Sequence, residues 1–198
     1  MRPPCRASLP RLNIAGENAA MKWAWLLMAC VPVFLHAQTA ETRDYGVAPT
    51  AELRLSDYHA PTPLEIPGAR AITTTELREA LQAPLEARPL LFDVVGDDGH
   101  MTLPGSIWLP GAGHGSSFDD EIQAQLAKLL DFATRGNRAR ALVFFCAGPD
   151  CWLSYNAALR AARLGYSAVR WYRGGIEAWR AEGGALAQPR IVWKRPSS

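Results

Sequence analysis

The chain has 198 residues, 48% of them apolar and 20% charged, with a formal net charge of +2. That length allows one domain of roughly 150 residues plus extensions, and the composition supports an ordinary core and excludes wholesale disorder. The small charge argues against a nucleic-acid-binding stripe. No apolar run reaches the ~18 residues of a plain membrane span, and neither Gly-x-Gly-x-x-Gly nor a Walker-type Gly-Lys-Ser/Thr occurs.

Met21-Lys22 opens an almost wholly apolar run, Trp23 to Leu35, followed by His36-Ala37. A short cationic start, an apolar stretch and a small residue at the end is the layout of a secretory signal, too short to anchor a chain stably in a bilayer. Residues 1–37 are therefore expected to be an upstream extension plus signal peptide, with Met21 as the start and a periplasmic product beginning after Ala37. A buried helix is the bland alternative. Leu27-Met28-Ala29-Cys30 also resembles a lipobox, which would place a lipid anchor at Cys30, but the apolar run continues past Cys30. Removing 1–37 leaves 17 Lys and Arg against 18 Asp and Glu, a net of −1, with Cys146 and Cys151 as the two remaining cysteines. A lone cysteine pair in an oxidising compartment is a disulfide or a thiol site.

Residues 38–70 carry Pro49, Pro61, Pro63 and Pro67 without clear periodicity and read as an extended arm lying over a domain. Thr73-Thr74-Thr75-Glu76 predicts a capped helix running to about Gln82. Pro89 to Val95 has the look of a buried strand, and Ser106 to Leu109, fenced by Pro-Gly pairs, of a second. Asp119 to Thr134 places Ile122, Leu126, Leu129, Leu130 and Ala133 at helical spacing, with Gly136 as the stop. Ala141 to Phe145 is the strongest strand. Trp152 to Leu164 predicts a helix ending at Gly165, Ser167 to Tyr172 a strand, and Gly174-Gly175 leads into a short helix through Trp179. Residues 71–184 thus form the domain and 185–198 a tail. Alternating strands and helices imply a mostly parallel α/β sheet covered on both faces, whose ligand site lies at the C-terminal strand ends.

At the end of the strongest strand stands Cys146-Ala147-Gly148-Pro149-Asp150-Cys151, followed at once by the helix from Trp152. Loop N–H groups and a helix N-terminus there favour an anion on the sulfur, and a thiolate is the nucleophile a thiol is not. Gly148 permits unusual backbone angles and Pro149 stiffens the turn. The bland alternatives are a small buried hydrophobe at Cys146 and a structural disulfide at Cys151.

This loop, Asp93 in Leu91-Phe92-Asp93-Val94, the Pro104-Gly105-Ser106-Ile107 turn and Gly174-Gly175 with Trp179 resemble the rhodanese-like sulfurtransferases over about residues 71–184. The resemblance implies a five-stranded parallel α/β fold with a catalytic cysteine, Cys146, opening a six-residue loop that ends at Cys151, with Ala147, Gly148, Pro149, Asp150 and the following Trp152 as substrate- or anion-binding residues. Tyr58-His59-Ala60-Pro61-Thr62-Pro63, Trp108-Leu109-Pro110-Gly111 and Cys151-Trp152-Leu153-Ser154 further resemble the secreted rhodanese-like proteins named for a Cys-Trp motif. That resemblance implies a link to alcohol catabolism dependent on pyrroloquinoline quinone (PQQ), with no cofactor expected to be bound. The partners implied are a small sulfur or thiol substrate or a periplasmic protein. Four residues separate the cysteines, more than the family's name implies. The loop has no cation, Asp150 adds a negative charge, and Val95 stands where the family often has Arg, so a dianionic sulfur donor meets an unfavourable field. Sulfur carriage through a Cys146 persulfide, dithiol/disulfide redox with Cys151, and a non-catalytic binding module with a structural disulfide all stay open.

Asp93 ends a strand on the same edge and is expected to cap a loop or helix or to act on the substrate. His114, in Gly111-Ala112-Gly113-His114-Gly115, is expected on the same rim as a solvated loop residue. A soft-metal site with the two cysteines is the sharper alternative there, and no metal is assigned. His100 is the other candidate histidine. Trp108, Trp152, Trp171 and Tyr172 read as packing, and Arg160, Arg163, Arg170 and Arg173 as a solvated face.

Overall fold

The computed structural model describes residues 40–191; the expected signal run and Cys30 lie outside them. Six short strands, all parallel, make one sheet: β1 (Arg70–Ile72), β2 (Leu90–Asp93), β3 (Ile107–Trp108), β4 (Leu142–Phe145), β5 (Val169–Tyr172) and β6 (Arg190–Ile191). Their order across the sheet is β1-β5-β4-β2-β3-β6. The resemblance implied five strands; β6, an exposed pair of residues in the expected tail, adds a sixth at the β3 edge.

Among the described residues the α-helices are α1 (Thr74–Leu81), α2 (Glu121–Thr134), α3 (Trp152–Arg163) and α4 (Gly175–Ala181). Thr73 and Glu76 close a reciprocal capping box on α1. The Asp120 side chain accepts the Gln123 N–H at the start of α2. The expected glycine stop of α2 arrives one residue late: Arg135 already adopts the left-handed conformation at φ 53°, and Gly136 follows at φ 75°.

All four β4 side chains are fully buried, each burial contributing ~1.5–3 kcal/mol, which makes β4 a spine between β5 and β2. Alternation along the strands divides the core. Phe92, Phe144, Cys146 and Trp171 point to the side covered by α2 and α3. Leu91, Val143, Phe145 and Tyr172 point to the side covered by α1 and α4, where Leu77 and Trp179 pack. The chain leaves β2 for β3 on one side and returns to β4 on the other, so the loops after β2 and β4 flank the reversal of strand order, where open α/β sheets place their sites. Among the described residues no helix is long and apolar enough to cross a membrane.

Residues 40–69 are sewn onto this layer by bonds spanning long stretches of sequence. The Tyr155 hydroxyl donates to the Thr50 carbonyl and accepts the Thr50 N–H; the Asn156 amide does the same with Arg54. The carboxylate of buried Glu41 accepts from the backbone and hydroxyl of Thr74, and burial pushes its carboxyl pKa up.

Candidate functional site

Cys146 immediately follows β4 and Cys151 immediately precedes α3; their sulfurs are joined at 2.05 Å, with Cα atoms 6.2 Å apart. The separation falls within the ordinary disulfide range. Both residues are buried, at 3% and 1% exposure. Gly148, Pro149 and Trp152 are buried as well, Ala147 is half-buried, and Asp150 alone of the loop faces solvent.

The main-chain groups expected to surround an anion are partly taken by carbonyls. The Cys151 N–H turns back to Gly148, and the Trp152 N–H, the first of α3, donates to the Tyr58 carbonyl of the arm at 2.8 Å. Tyr58 thereby caps a helix that has no side-chain cap of its own. In the other direction, the Cys146 and Ala147 carbonyls accept the Ile176 and Glu177 N–H groups at the start of α4. This close approach requires Gly175, at φ 60°, because a Cβ there would collide with both carbonyls.

The arm lies directly across the loop. His59 and Cys151 form an antiparallel bridge, flanked by Tyr58 O accepting from Trp152 and by Ala60 N–H donating to Asp150 O at 2.9 Å. The Thr62 N–H and hydroxyl both donate to the Pro149 carbonyl, and the Trp152 indole N–H donates to Pro61 O. Behind Thr62 sits Arg173, just past β5. Its guanidinium donates to the Thr62 hydroxyl and carbonyl and to the carbonyls of Ala40 and Glu41.

Arg173 and Arg160 correct the expectation of a solvated face, since they are 2% and 0% exposed. Arg160 on α3 grips Asp120 with both terminal nitrogens, at 2.8 and 3.0 Å, and also bonds the Ser117 and His114 carbonyls and Gln123. Burial works against the Asp120 charge, but the Arg160 guanidinium and the Gln123 and Ser116 N–H groups hold its pKa down at about 2. Arg163 is exposed and lies over Phe118.

The mouth of the cysteine loop is acidic. The Glu177 carboxylate packs over Gly148, where a Cβ would be 2.5 Å from its Oε2. Glu177 and Asp150 line a cavity of about 380 Å³ with Tyr45, His59, Pro61 and Pro149. A second cavity of about 190 Å³ runs from Pro149 past Glu177 to Glu182.

Asp93 does not share the cysteine's side of the sheet. It follows Leu91 by two residues and so points to the α1/α4 side, fully buried, while Cys146 points to the α2/α3 side. One Asp93 oxygen caps the Val95 N–H at 2.9 Å, as expected of a loop cap. The other meets His100 Nε2 at 2.6 Å, and His100 Nδ1 faces the Asp97 carbonyl at 2.9 Å. Both ring nitrogens face acceptors, an arrangement that fits the doubly protonated ring. Burial works against that charge, but the Asp93 hydrogen bond and charge outweigh it and raise the His100 pKa. His114 is exposed and stacks on Tyr58 at 4.9 Å, and its carbonyl accepts from Arg160. Among the described residues no group of three or more His, Cys, Asp or Glu is placed to hold a metal. Trp108, Trp152, Trp171 and Tyr172 are all buried in packing.

The residues that the sequence reading missed here are Thr62, Arg173 and Glu177. Arg173 precedes the Gly-Gly pair at a strand end, a position that signals a site, but its partners lie in the arm, over 100 residues away.

No curated protein matches the chain. Among solved structures, the human single-domain sulfurtransferase TSTD1 is 24% identical with a TM-score of 0.43, covering 58% of this chain and 97% of that one. A thiosulfate sulfurtransferase from Pseudomonas aeruginosa is 19% identical with a TM-score of 0.45, covering 66% of this chain and 22% of its own. EanB in complex with hercynine is 18% identical with a TM-score of 0.44, covering 61% of this chain, which spans only 32% of EanB's length. The rhodanese-like domain model matches residues 73–182. That match covers more than half of the sequence, including β2 through α4 and the whole cysteine loop, and the chain belongs to the rhodanese-like domain family.

Proposed function

We propose that Cys146 and Cys151 are a dithiol/disulfide redox couple carried on a rhodanese-like scaffold, rather than the site of an efficient thiosulfate sulfurtransferase. The observation that carries this reading is the joined sulfur pair just past the C-terminal end of β4, beside a cavity lined by the carboxylates of Asp150 and Glu177. A disulfide across so short a loop constrains the unfolded chain little, so its use is sought in exchange chemistry or in fixing the loop.

In the reduced form the Cys146 thiolate attacks one sulfur of a partner disulfide. One partner thiolate leaves and a mixed disulfide forms. Cys151 then gives up its proton and attacks the Cys146 sulfur, and the second partner thiolate leaves. Two electrons pass to the partner, and the Cys146–Cys151 bond is restored. Asp150 and Glu177 disfavour a dianionic donor such as thiosulfate at this mouth. The Cys-Trp resemblance and the apolar run behind Lys22 support placing this couple in the periplasm, as a companion of a PQQ-dependent alcohol-oxidising system.

Alkylation of the reduced protein across pH tests the proposal. One thiol is expected to react fast at neutral pH, Cys146→Ser to abolish that phase, and Cys151→Ser to preserve it and to trap mixed disulfides. Thiosulfate:cyanide turnover is expected to be far below that of an enzyme with a cationic loop. Two slow, ordinary thiols would overturn the redox reading. They would leave the non-catalytic binding module, which the burial of both sulfurs favours.

A further inference from the structure

The cysteine loop is crossed by a strand-like piece of the arm, held in the manner of a bound peptide. Its main-chain bonds come at every second residue: Tyr58 O from Trp152 N, Ala60 N to Asp150 O, and Thr62 N to Pro149 O. This is the period of an added β-strand, in which main-chain bonds give affinity and alternate side chains give selectivity. The centre of the register is the His59–Cys151 pair, so the residue at the position of His59 lies directly opposite a member of the disulfide. In an antiparallel pair whose bonds flank it on both sides, the two residues make their closest approach.

We propose that the Pro149–Trp152 edge of the cysteine loop is a docking edge for an extended polypeptide, and that Tyr58–Thr62 occupies it as an internal ligand that a partner strand displaces. The proposal deepens the redox reading by naming a polypeptide, rather than a small thiol, as the exchange partner, and it rests on that reading for the use of the edge. A small thiol must wait for the arm to lift unaided, with the Trp152 N–H and the Asp150 and Pro149 carbonyls left to water. A polypeptide supplies the same three bonds as the arm leaves, so exchange is close to balanced. The occupant's chemistry follows from the mouth. Asp150 and Glu177 share with His59 the cavity of about 380 Å³, so a docked segment is favoured by a cationic side chain at the position of His59 and disfavoured by an acidic one. The clasp to be broken is Thr62, whose hydroxyl donates to Pro149 and accepts from Arg173.

The probe is a labelled nonapeptide of residues 56–64, offered to the full chain. Because the tethered arm competes at an effective concentration on the order of millimolar, the natural chain is expected to bind the peptide weakly, and Thr62→Val about tenfold more tightly. A Glu in the peptide at the position of His59 is expected to weaken binding to Thr62→Val about fivefold, and a Lys there to preserve it. Near-ultraviolet circular dichroism establishes that the variant is folded. A second measurement needs no variant. With excess peptide on the natural chain, amide exchange of Ala60 and Thr62 is expected to accelerate while Trp152 stays protected, since the peptide carbonyl replaces that of Tyr58. Absence of peptide binding to either chain, or Ala60, Thr62 and Trp152 losing protection together, overturns the proposal. Peptide binding in a chain whose thiols are both slow leaves the docking edge standing and removes the redox reading. A fast thiol without peptide binding removes this proposal alone.

Discussion

Two loops leave neighbouring strands at the same edge of the sheet and are fastened by opposite means. The loop after β4 is tied by the Cys146–Cys151 bond and by neutral main-chain bonds to the arm and α4. The loop after β2 is tied by charge, with the buried Asp93 carboxylate holding Val95 and His100 together. The first fastening is opened by reduction. The second responds to protons and is indifferent to thiols. Adjacent strands thus carry loops with different fastenings, and the β4 loop also has the arm bonded across it.

The most damaging break on the β4 side is Gly175→Ala. It combines a strained left-handed residue with a collision against two carbonyls of the cysteine loop. We expect a loss of about 4 kcal/mol in urea unfolding. On the β2 side, Asp93→Ala orphans the Val95 N–H and leaves His100 without its counter-charge, with an expected cost of about 3 kcal/mol near pH 6. Reducing the disulfide is a milder change, with an expected loss of about 2 kcal/mol or less, given how few residues the bond encloses. Chemical denaturation with and without a thiol-free reductant measures it, and the Asp93→Ala cost is expected to be the same in both.

The smallest effect sharpens the comparison by its sign. The His100 pKa is raised above its ordinary value of 6.5 on folding. Its stabilisation is therefore fully present below pH 6.5 and is lost as pH climbs through the higher folded value. The urea midpoint of the natural chain should fall over that alkaline window, and His100→Gln should flatten the fall. An unchanged slope in His100→Gln would show that the imidazolium does not fasten the β2 loop.

Much of the scaffold was legible because it is written locally. The Thr73–Glu76 box, the apolar run of β4 and the helical spacing of α2 each lie within about a dozen residues and carry their own periodicity. The cysteine loop was legible for the same reason. β1 and β6 were not, because Arg70–Ile72 and Arg190–Ile191 are too short to show alternation and owe their pairing to the neighbouring strand. The arm's role was invisible because its bonds to the cysteine loop and to Arg173 join residues 87 to 133 positions apart, from Thr62 with Pro149 to Ala40 with Arg173. The burial of Arg160 and Arg173 was illegible because a guanidinium enters a core only where carbonyls and carboxylates gather, and the fold alone assembles those.

The equilibrium potential of the Cys146–Cys151 bond tests most directly the proposal that it exists for exchange and not for structure. Structural disulfides of exported proteins lie below about −300 mV, whereas exchange-active pairs lie between about −270 and −120 mV. Equilibrating the full chain in graded thiol/disulfide buffers and reading the reduced fraction by acid-quenched alkylation and intact mass gives the value. The account predicts a midpoint above about −270 mV; a midpoint below about −300 mV would contradict it and make the pair a structural staple.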